Sequence, residues 1–360
     1  MTLGRRSAEA RWTQPLWLIA GATLWALFVM ERILELHEGP ARTALVVVGF
    51  ATVVGSAGFA TRRFGRSRLR YLPFLILALI AMREGFRQLR RRQYTASAPV
   101  NRVGRSESLW HPLTTTDLVL RHYALGSPQL AAARLRVVML TDLHVTAALP
   151  PAYYERVFDL ASEQSPDLIL LSGDYVSKPD NIELMQRLFA RPLRARFGVY
   201  AVLGNHDFWT DATRVRAVLR SAGVILVDER CQHLPPAVGR VAICGTEAPW
   251  GSGLSSRLDR SELNLVLSHT PDNVFRLAEQ GASLVFSGHT HGGQIRLPGV
   301  GAVVVPSRFG RLFDQGHFRV DGVDLFVSAG VGADMPALRV YCQPEVLVVD
   351  IAPESGQRAP

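Results

Sequence analysis

The chain has 360 residues, 48% hydrophobic and 20% charged, which excludes a disordered or collagen-like polymer and leaves room for one large domain and a smaller segment. Its three cysteines, Cys231, Cys244 and Cys342, lie 13 and 98 residues apart, a spacing that fits neither a disulfide framework nor a CxxC zinc site and is compatible with a reducing compartment. The formal charge of +9 would suggest a nucleic-acid ligand, but residues 1–105 hold 17 arginines against 5 acidic residues while the remainder is slightly acidic, so no nucleic-acid partner is expected for it.

The N-terminal third also holds the long apolar stretches. Trp12–Met30 and Thr43–Thr61 are each 19 residues without a charge, long enough to cross a bilayer core as helices. Tyr71–Met82 has only 12 residues, an interfacial or re-entrant length. Residues 1–93 are therefore expected to form a membrane anchor with two or three hydrophobic helices. Arg5, Arg6 and Arg11 precede the first stretch, and Arg62, Arg63, Arg66, Arg68 and Arg70 follow the second. The positive-inside rule places both clusters in the cytoplasm, and the rest of the chain with them if the short third segment does not cross. The periplasmic side is the alternative if it does. No small-residue cleavage site follows Met30, so a removed signal peptide is not expected.

Residues 94–110 are polar and aperiodic and read as a linker. Beyond them, buried-type strands at Leu135–Thr141, Asp167–Ser172, Gly198–Leu203, Val224–Val227, Val241–Cys244, Leu263–Ser268 and Ser283–Phe286 are interleaved with helical spacing at Pro151–Glu163, Ile182–Ala190, Ala212–Ser221 and Asp272–Glu279. Past Gly293 only strands are expected, at Ala302–Val305, Leu325–Val327 and Val346–Ile351. Alternating β and α elements followed by strands alone predict an α/β core with a second sheet, layered as a sandwich. The domain extends over 111–352, and 353–360 is expected to be a disordered tail.

Five of these strands end in a polar cluster. Leu135–Thr141 runs into Asp142-Leu143-His144, Asp167–Ser172 into Gly173-Asp174, and Gly198–Leu203 into Gly204-Asn205-His206-Asp207. Leu263–Ser268 is followed by His269, and Leu284–Ser287 by Gly288-His289-Thr290-His291. One such cluster is an ordinary turn or helix cap. Five at the same end of successive strands, holding five of the chain's ten histidines, are not. Two carboxylates, imidazoles and an amide, without sulfur, suit two divalent first-row ions, Mn, Fe, Zn or Co, in preference to an all-oxygen Ca or Mg cage. Two such ions about 3.5–4 Å apart can clamp a phosphoryl group and hold a hydroxide for in-line attack.

The order DLH, GD, GNHD, H, GHTH resembles the calcineurin-like metallophosphoesterase family, whose pattern is DxH, GD, GNH(D/E), H, GHxH. The resemblance covers roughly His111 to Ala352 and implies a four-layer α/β/β/α sandwich with a dinuclear site at one edge. It implies that Asp142, His144 and His291 bind the first metal, that Asp174 bridges, and that Asn205, His269 and His289 bind the second. His206 would approach the scissile phosphate, with Asp207 as the carboxylate that orients it, and a metal-bridging hydroxide would be the nucleophile. One departure is Ser177, which stands where the family's GDxxD pattern has its second acidic residue. The tail segment MPALRVYCQPEVLVVDI also resembles a bacterial membrane-associated subgroup that includes UDP-2,3-diacylglucosamine hydrolases.

The expectation is a membrane-anchored metal-dependent phosphoesterase of the bacterial inner membrane, its catalytic domain cytoplasmic, cleaving a phosphodiester or pyrophosphate that is lipid-linked. The alternatives are a nucleotide or nucleic-acid phosphodiesterase of the same fold and a non-catalytic membrane scaffold. The scaffold predicts a missing ligand, and none is missing.

Overall fold

The computed structural model describes residues 3–25, 51–60, 62, 71–130, 134–227, 231–246, 253–334 and 336–354. The chain divides into two compact units, Met1–Gln93 with Val303–Pro306 and Gly310–Leu312, and Tyr94–Ala302 with Ser307–Phe309 and Phe313–Pro360.

The N-terminal part is helical over Leu3–Trp25, residues 51–60 and Leu72–Tyr94. No helix among the described residues is long and apolar enough to cross a membrane, so the expected spanning helices are not found there. Parts of both expected spans, residues 26–30, 43–50 and 61, lie outside the described residues. The short apolar segment Tyr71–Met82 opens the helix Leu72–Tyr94, which runs on through Arg83, Arg87, Arg90, Arg91 and Arg92.

The larger unit contains fifteen strands among its described residues. They are β1 (Asn101–Val103), β2 (Val119–Ser127), β3 (Leu135–Leu140), β4 (Leu168–Leu171), β5 (Val199–Ala201), β6 (Ile225–Leu226), β7 (Gln232–His233), β8 (Val241–Thr246), β9 (Leu263–Ser268), β10 (Leu284–Ser287), β11 (Arg296–Leu297), β12 (Gly301–Ala302), β13 (Gly316–Val320), β14 (Val323–Val327) and β15 (Glu345–Pro353). One sheet has the order β1-β2-β15-β3-β4-β5-β6, the second β13-β14-β10-β9-β8-β7, and β11 pairs with β12 alone. The helices are α1 (Pro151–Glu163), α2 (Ile182–Phe189), α3 (Asn205–Thr210), α4 (Ala212–Ser221) and α5 (Val274–Gln280).

Strand alternation builds the layers, because successive side chains leave a strand on opposite faces. Val138 and Leu140 of β3, with Ile169 and Leu171 of β4, pack on Val157 and Phe158 of α1, Met185 of α2 and Leu219 of α4. Val137, Met139, Leu168 and Leu170 face the other way and meet Leu265, Leu267 and Phe286 of the second sheet. Both faces are covered, which is why these strands read as unbroken apolar runs.

The structure departs from the sequence reading in several places. Strand β2 breaks its apolar pattern with Arg121 and His122, whose side chains remain partly exposed, and β13 is a short edge strand, so neither announced itself by hydrophobicity. The segment 94–110 is more than a linker, since β1 pairs antiparallel with β2. The C-terminal strand β15 lies between β2 and β3, parallel to the first and antiparallel to the second, and runs to Pro353. Residues 355–360 of the expected tail lie outside the described residues.

The cysteine reading is corrected. Cys231 and Cys244 form a disulfide with their Cα atoms 4.1 Å apart. Strands β7 and β8 pair antiparallel with Gln232 opposite Ile243, which sets the two cysteines face to face, a pairing that the 13-residue spacing alone did not reveal.

Leu347 of β15 is fully buried between the sheets. Leu347→Ala should cost about 2–5 kcal/mol, measured by urea unfolding, and a cost below ~1 kcal/mol would contradict a central position for this strand.

Candidate metal centre

Strands β3, β4 and β5 are parallel neighbours in one sheet, as are β9 and β10 in the other. Their C-terminal ends carry the polar clusters. The first sheet supplies Asp142, His144, Asp174 and Asn205, and the second supplies His269, His289 and His291. The turns are sharp: Asp142, His144, Asp174, His289 and His291 all have φ between 39° and 67°, in the left-handed region. That region is uncommon for residues other than glycine, and Asp and His are among those that enter it most readily. Two motif glycines allow close approach. A Cβ on Gly288 would lie 2.1 Å from Asp142 Oδ2, and one on Gly204 would lie 2.2 Å from Asp174 Oδ1.

The seven expected ligands converge in two groups. Asp142, His144, Asp174 and His291 offer donor atoms within 4.8 Å of one another, and so do Asp174, His269 and His289. Asp174 belongs to both groups, the place a bridging carboxylate occupies. Its Oδ2 lies 3.1 Å from His269 Nε2 and 3.6 Å from His144 Nε2. Asn205 Oδ1 is 3.1 Å from His269 Nε2, so the amide joins the second group. Thr290, between the two histidines of β10's turn, points away and donates its hydroxyl to Asp314 O at 2.7 Å.

Partners behind the ligands fix their orientation, as is usual for metal-binding histidines. His269 Nδ1 donates to the Ser172 carbonyl at 2.7 Å, which leaves Nε2 facing Asp174. His144 Nδ1 lies 2.5 Å from the hydroxyl of Ser177, the residue at the departure from the family pattern, which braces this imidazole. The His289 N–H donates to both oxygens of Asp142, at 3.0 and 3.1 Å.

The electrostatics describe a site built for positive charge. Burial pushes His144 down to about 4 and holds His291 well below its ordinary value, so both present neutral imidazoles, the form a metal requires. Their Nε2 atoms are 3.1 Å apart. Burial also pushes Asp142 up to about 6, with Asp174 adding to the effect. Burial opposes charge on Asp174 and His269 as well, yet each is outweighed by its neighbours. Asp174 is held well below the usual carboxylate range by His269, His206 and His144, and His269 is raised to about 9 by Asp174 and Asp142. In the metal-free chain a proton on His269 thus supplies charge that a cation would supply in its place. The nitrogen and oxygen donors, together with a buried Asp174 Oδ2 that accepts no well-formed hydrogen bond, fit a pair of divalent first-row ions.

His206 opens α3 and donates its N–H to Asp174 Oδ1 at 2.8 Å. Its ring packs edge-on to His144 at a centroid distance of 4.8 Å and against Trp209 at 4.9 Å. Asp207 stands differently from the orienting role expected of it. Its Oδ2 accepts the N–H groups of Asp174 and Gly204, both at 2.9 Å, and its Oδ1 those of Tyr175 at 2.8 Å and Val176 at 3.3 Å. It braces the turn after β4, and burial raises it to about 7.

Two residues of the tail segment that carries the subgroup resemblance, Arg339 and Glu345, had no role assigned from the sequence. Arg339 is fully buried and donates to the carbonyls of Gly332 at 2.7 Å, Ala329 at 2.6 Å and His291 at 3.2 Å, tying the His291 turn to the loop after β14. Glu345, in the QPE that follows, accepts the Ala329 N–H at 2.8 Å and pairs with Arg121 at 2.6 Å. The signal was an arginine and a glutamate inside otherwise apolar sequence, which only the fold converts into a position.

Comparison with known proteins agrees with this geometry. Residues 135–293 match the model of the calcineurin-like phosphoesterases. The chain is 30% identical to the uncharacterized metallophosphoesterase YkuE of Bacillus subtilis over 59% of this chain and 77% of that protein. It is 30% identical to the phosphodiesterase YaeI of Escherichia coli over 61% of this chain and 83% of that protein. It is 26% identical to the UDP-2,3-diacylglucosamine pyrophosphatase LpxG of Chlamydia trachomatis over 46% of this chain and 65% of that protein.

The metal-free site makes a signed prediction. A histidine raised to about 9 on folding contributes stability that is complete below its unfolded value near 6.5 and is lost as pH rises through about 9. Asp142 and Asp207, raised to about 6 and about 7, act in the same direction. After chelation, the melting temperature of the chain should fall between pH 7 and pH 9, and His269→Asn should flatten the fall. A melting temperature that is constant or rises over this interval would contradict the site's electrostatics.

Proposed function

The chain belongs to the calcineurin-like phosphoesterase family and is a metal-dependent phosphoric ester hydrolase, and from that premise we propose that it cleaves a phosphodiester or pyrophosphate bond in a lipid-linked substrate beside a membrane. The observation that carries the hydrolytic part is Asp174, the one carboxylate common to two converging groups of ligands. Asp142, His144 and His291 would hold one ion, Asn205, His269 and His289 the other, with Asp174 between them. Two divalent ions, when bound, supply an activated water and neutralise charge on the phosphoryl oxygens. The chain's own residues hold the ligands in place and keep His144 and His291 neutral, while the His206 imidazole, against His144, is placed to hydrogen-bond the phosphoryl or leaving oxygen.

Support for a lipid-linked substrate comes from the segments that leave the centre. Ile295 follows the His291 turn and bridges Val340, which in turn bridges Leu113. Around this pairing Trp110 is 94% exposed, Leu113 57%, Ile295 44% and Leu297 49%, and Leu338 lies beside Arg339 with 36% exposure. Exposed apolar residues gathered on segments that join a polar centre mark a site for an apolar partner. A diacylated nucleotide sugar, the compound in the name of LpxG, has both the pyrophosphate and the acyl chains that such a surface fits. The apolar stretches of residues 1–93, among them the apolar first half of the helix Leu72–Tyr94, support anchoring, which raises the local concentration of enzyme where such a substrate lies. The remainder's lack of basic excess disfavours the nucleic-acid alternative.

Two experiments test this reading. With Mn²⁺, the chain should hydrolyse bis-p-nitrophenyl phosphate and UDP-2,3-diacylglucosamine. Ile295→Ser combined with Leu338→Ser should lower kcat/KM on the acylated substrate about tenfold more than on the soluble diester, and equal losses would contradict the lipid-linked reading. The Cys231–Cys244 bond supports a periplasmic catalytic unit, the side that the arginine distribution disfavoured, because disulfides persist in oxidising compartments and are rare in reducing ones. Maleimide labelling of denatured, unreduced chain from cells should modify Cys342 alone, whereas labelling of all three cysteines would contradict that side.

A further inference from the structure

The carboxylate that faces His206 comes from an unexpected place. Asp334 Oδ2 lies 3.8 Å from His206 Nε2, and Asp334 Oδ1 is buried with no hydrogen-bond partner. Its position is fixed through the backbone. The Asp334 N–H donates to Gln294 Oε1 at 3.0 Å, while Gln294 Nε2 donates to the carbonyls of Asp334 at 3.1 Å and Pro336 at 3.0 Å. Gln294 stands three residues beyond His291, so the turn that supplies a metal ligand also grips the loop that carries Asp334.

The loop cannot drift from the centre at its other end either. The Gly332 N–H donates to the Asp142 carbonyl at 2.7 Å, and a Cβ on Gly332 would lie only 2.0 Å from the Leu143 carbonyl oxygen. Arg339 holds the Gly332 carbonyl from below at 2.7 Å. Asp334 is thus delivered to His206 by backbone bonds to Gln294 on one side and Asp142 on the other. Asp207, adjacent in sequence to His206, has both oxygens occupied by backbone N–H groups.

We infer that Asp334 is the positioning residue for His206, holding the imidazole between Trp209 and His144 with Nε2 turned toward the space that the carboxylate and ring share. The separation of 3.8 Å exceeds a hydrogen bond, so the pair meets across one point, where a water can accept from the ring and donate to the carboxylate. The residue acts through His206, and its carboxylate, the His206 ring and His144 offer donor atoms within 4.8 Å of one another. This inference rests on the phosphoesterase reading, and it concerns the departure of the leaving oxygen: as the P–O bond breaks, the oxygen takes the bonding pair and a hydrogen bond or proton from the His206 ring that Asp334 orients.

Leaving groups that differ in basicity test it, because a p-nitrophenolate departs with little help and a phenolate needs it. In full-length chain with Mn²⁺, Asp334→Asn should lower kcat roughly tenfold more on diphenyl phosphate than on bis-p-nitrophenyl phosphate, with KM changed less than about threefold and metal content unchanged. Asp334→Glu should restore part of the difference. A reading independent of turnover is the ¹⁵N spectrum of histidine-labelled chain, with His206 assigned by its loss in His206→Gln. Asp334→Asn should move the His206 signals and leave those of His122 and His317 in place. Equal losses on the two esters, lost metal, or an unmoved His206 signal would each overturn the inference. Failure of the wild type to cleave any diester would instead refute the phosphoesterase reading, with the spectrum still deciding whether Asp334 faces His206.

Discussion

A carboxylate taken out of water costs several kcal/mol unless charges or hydrogen bonds answer it. Asp174 is 1% exposed, and the centre is organised around answering it. His269 comes to it from the second sheet, His144 from the first, and the His206 N–H reaches it from the start of α3. Remove that charge and the sheets lose the shared point at which their strand ends meet. The same group that makes the metal-free site dependent on protonated histidine makes it receptive to divalent cations, which replace the proton with more charge at the same location.

Around this point the chain spends conformational strain. Five non-glycine ligand positions adopt left-handed backbone, and glycines beside Asp142 and Asp174 leave no room for a Cβ. Such strain persists only where surroundings determine it fully. The surroundings are the fully buried strands β4, β9 and β10 and the largely buried β3 below the turns, Asp207 bracing the turn after β4, and Arg339 tying the His291 turn to the loop after β14. Stability and function are coupled here through geometry: packing between the sheets sets where seven side chains converge.

The convergence of these side chains was legible in the sequence because each follows an apolar strand directly, so strand periodicity and residue type together placed it at a strand end. Layering was legible for the same reason, wherever both faces of a strand are covered. What escaped lies where local sequence carries no period. Strand β2 interrupts its apolar run with Arg121 and His122, β15 becomes central only through pairing with strands more than two hundred residues away in β2 and β3, and the Cys231–Cys244 bond depends on the register of β7 and β8. Asp207 looked like the partner of His206 because it is adjacent to it, yet at the start of a helix that adjacency turns its carboxylate back onto backbone N–H groups. Asp334, more than a hundred residues away, is visible only once the loop after β14 is folded across the centre.

The account's central claim is that Asp174 is shared by two ions. Anomalous diffraction from crystals of the chain grown with Mn²⁺ tests it most directly. Two peaks about 3.5–4 Å apart on either side of the Asp174 carboxylate, both lost in Asp174→Ala, are predicted. A single peak ligated without Asp174, or none, would contradict it.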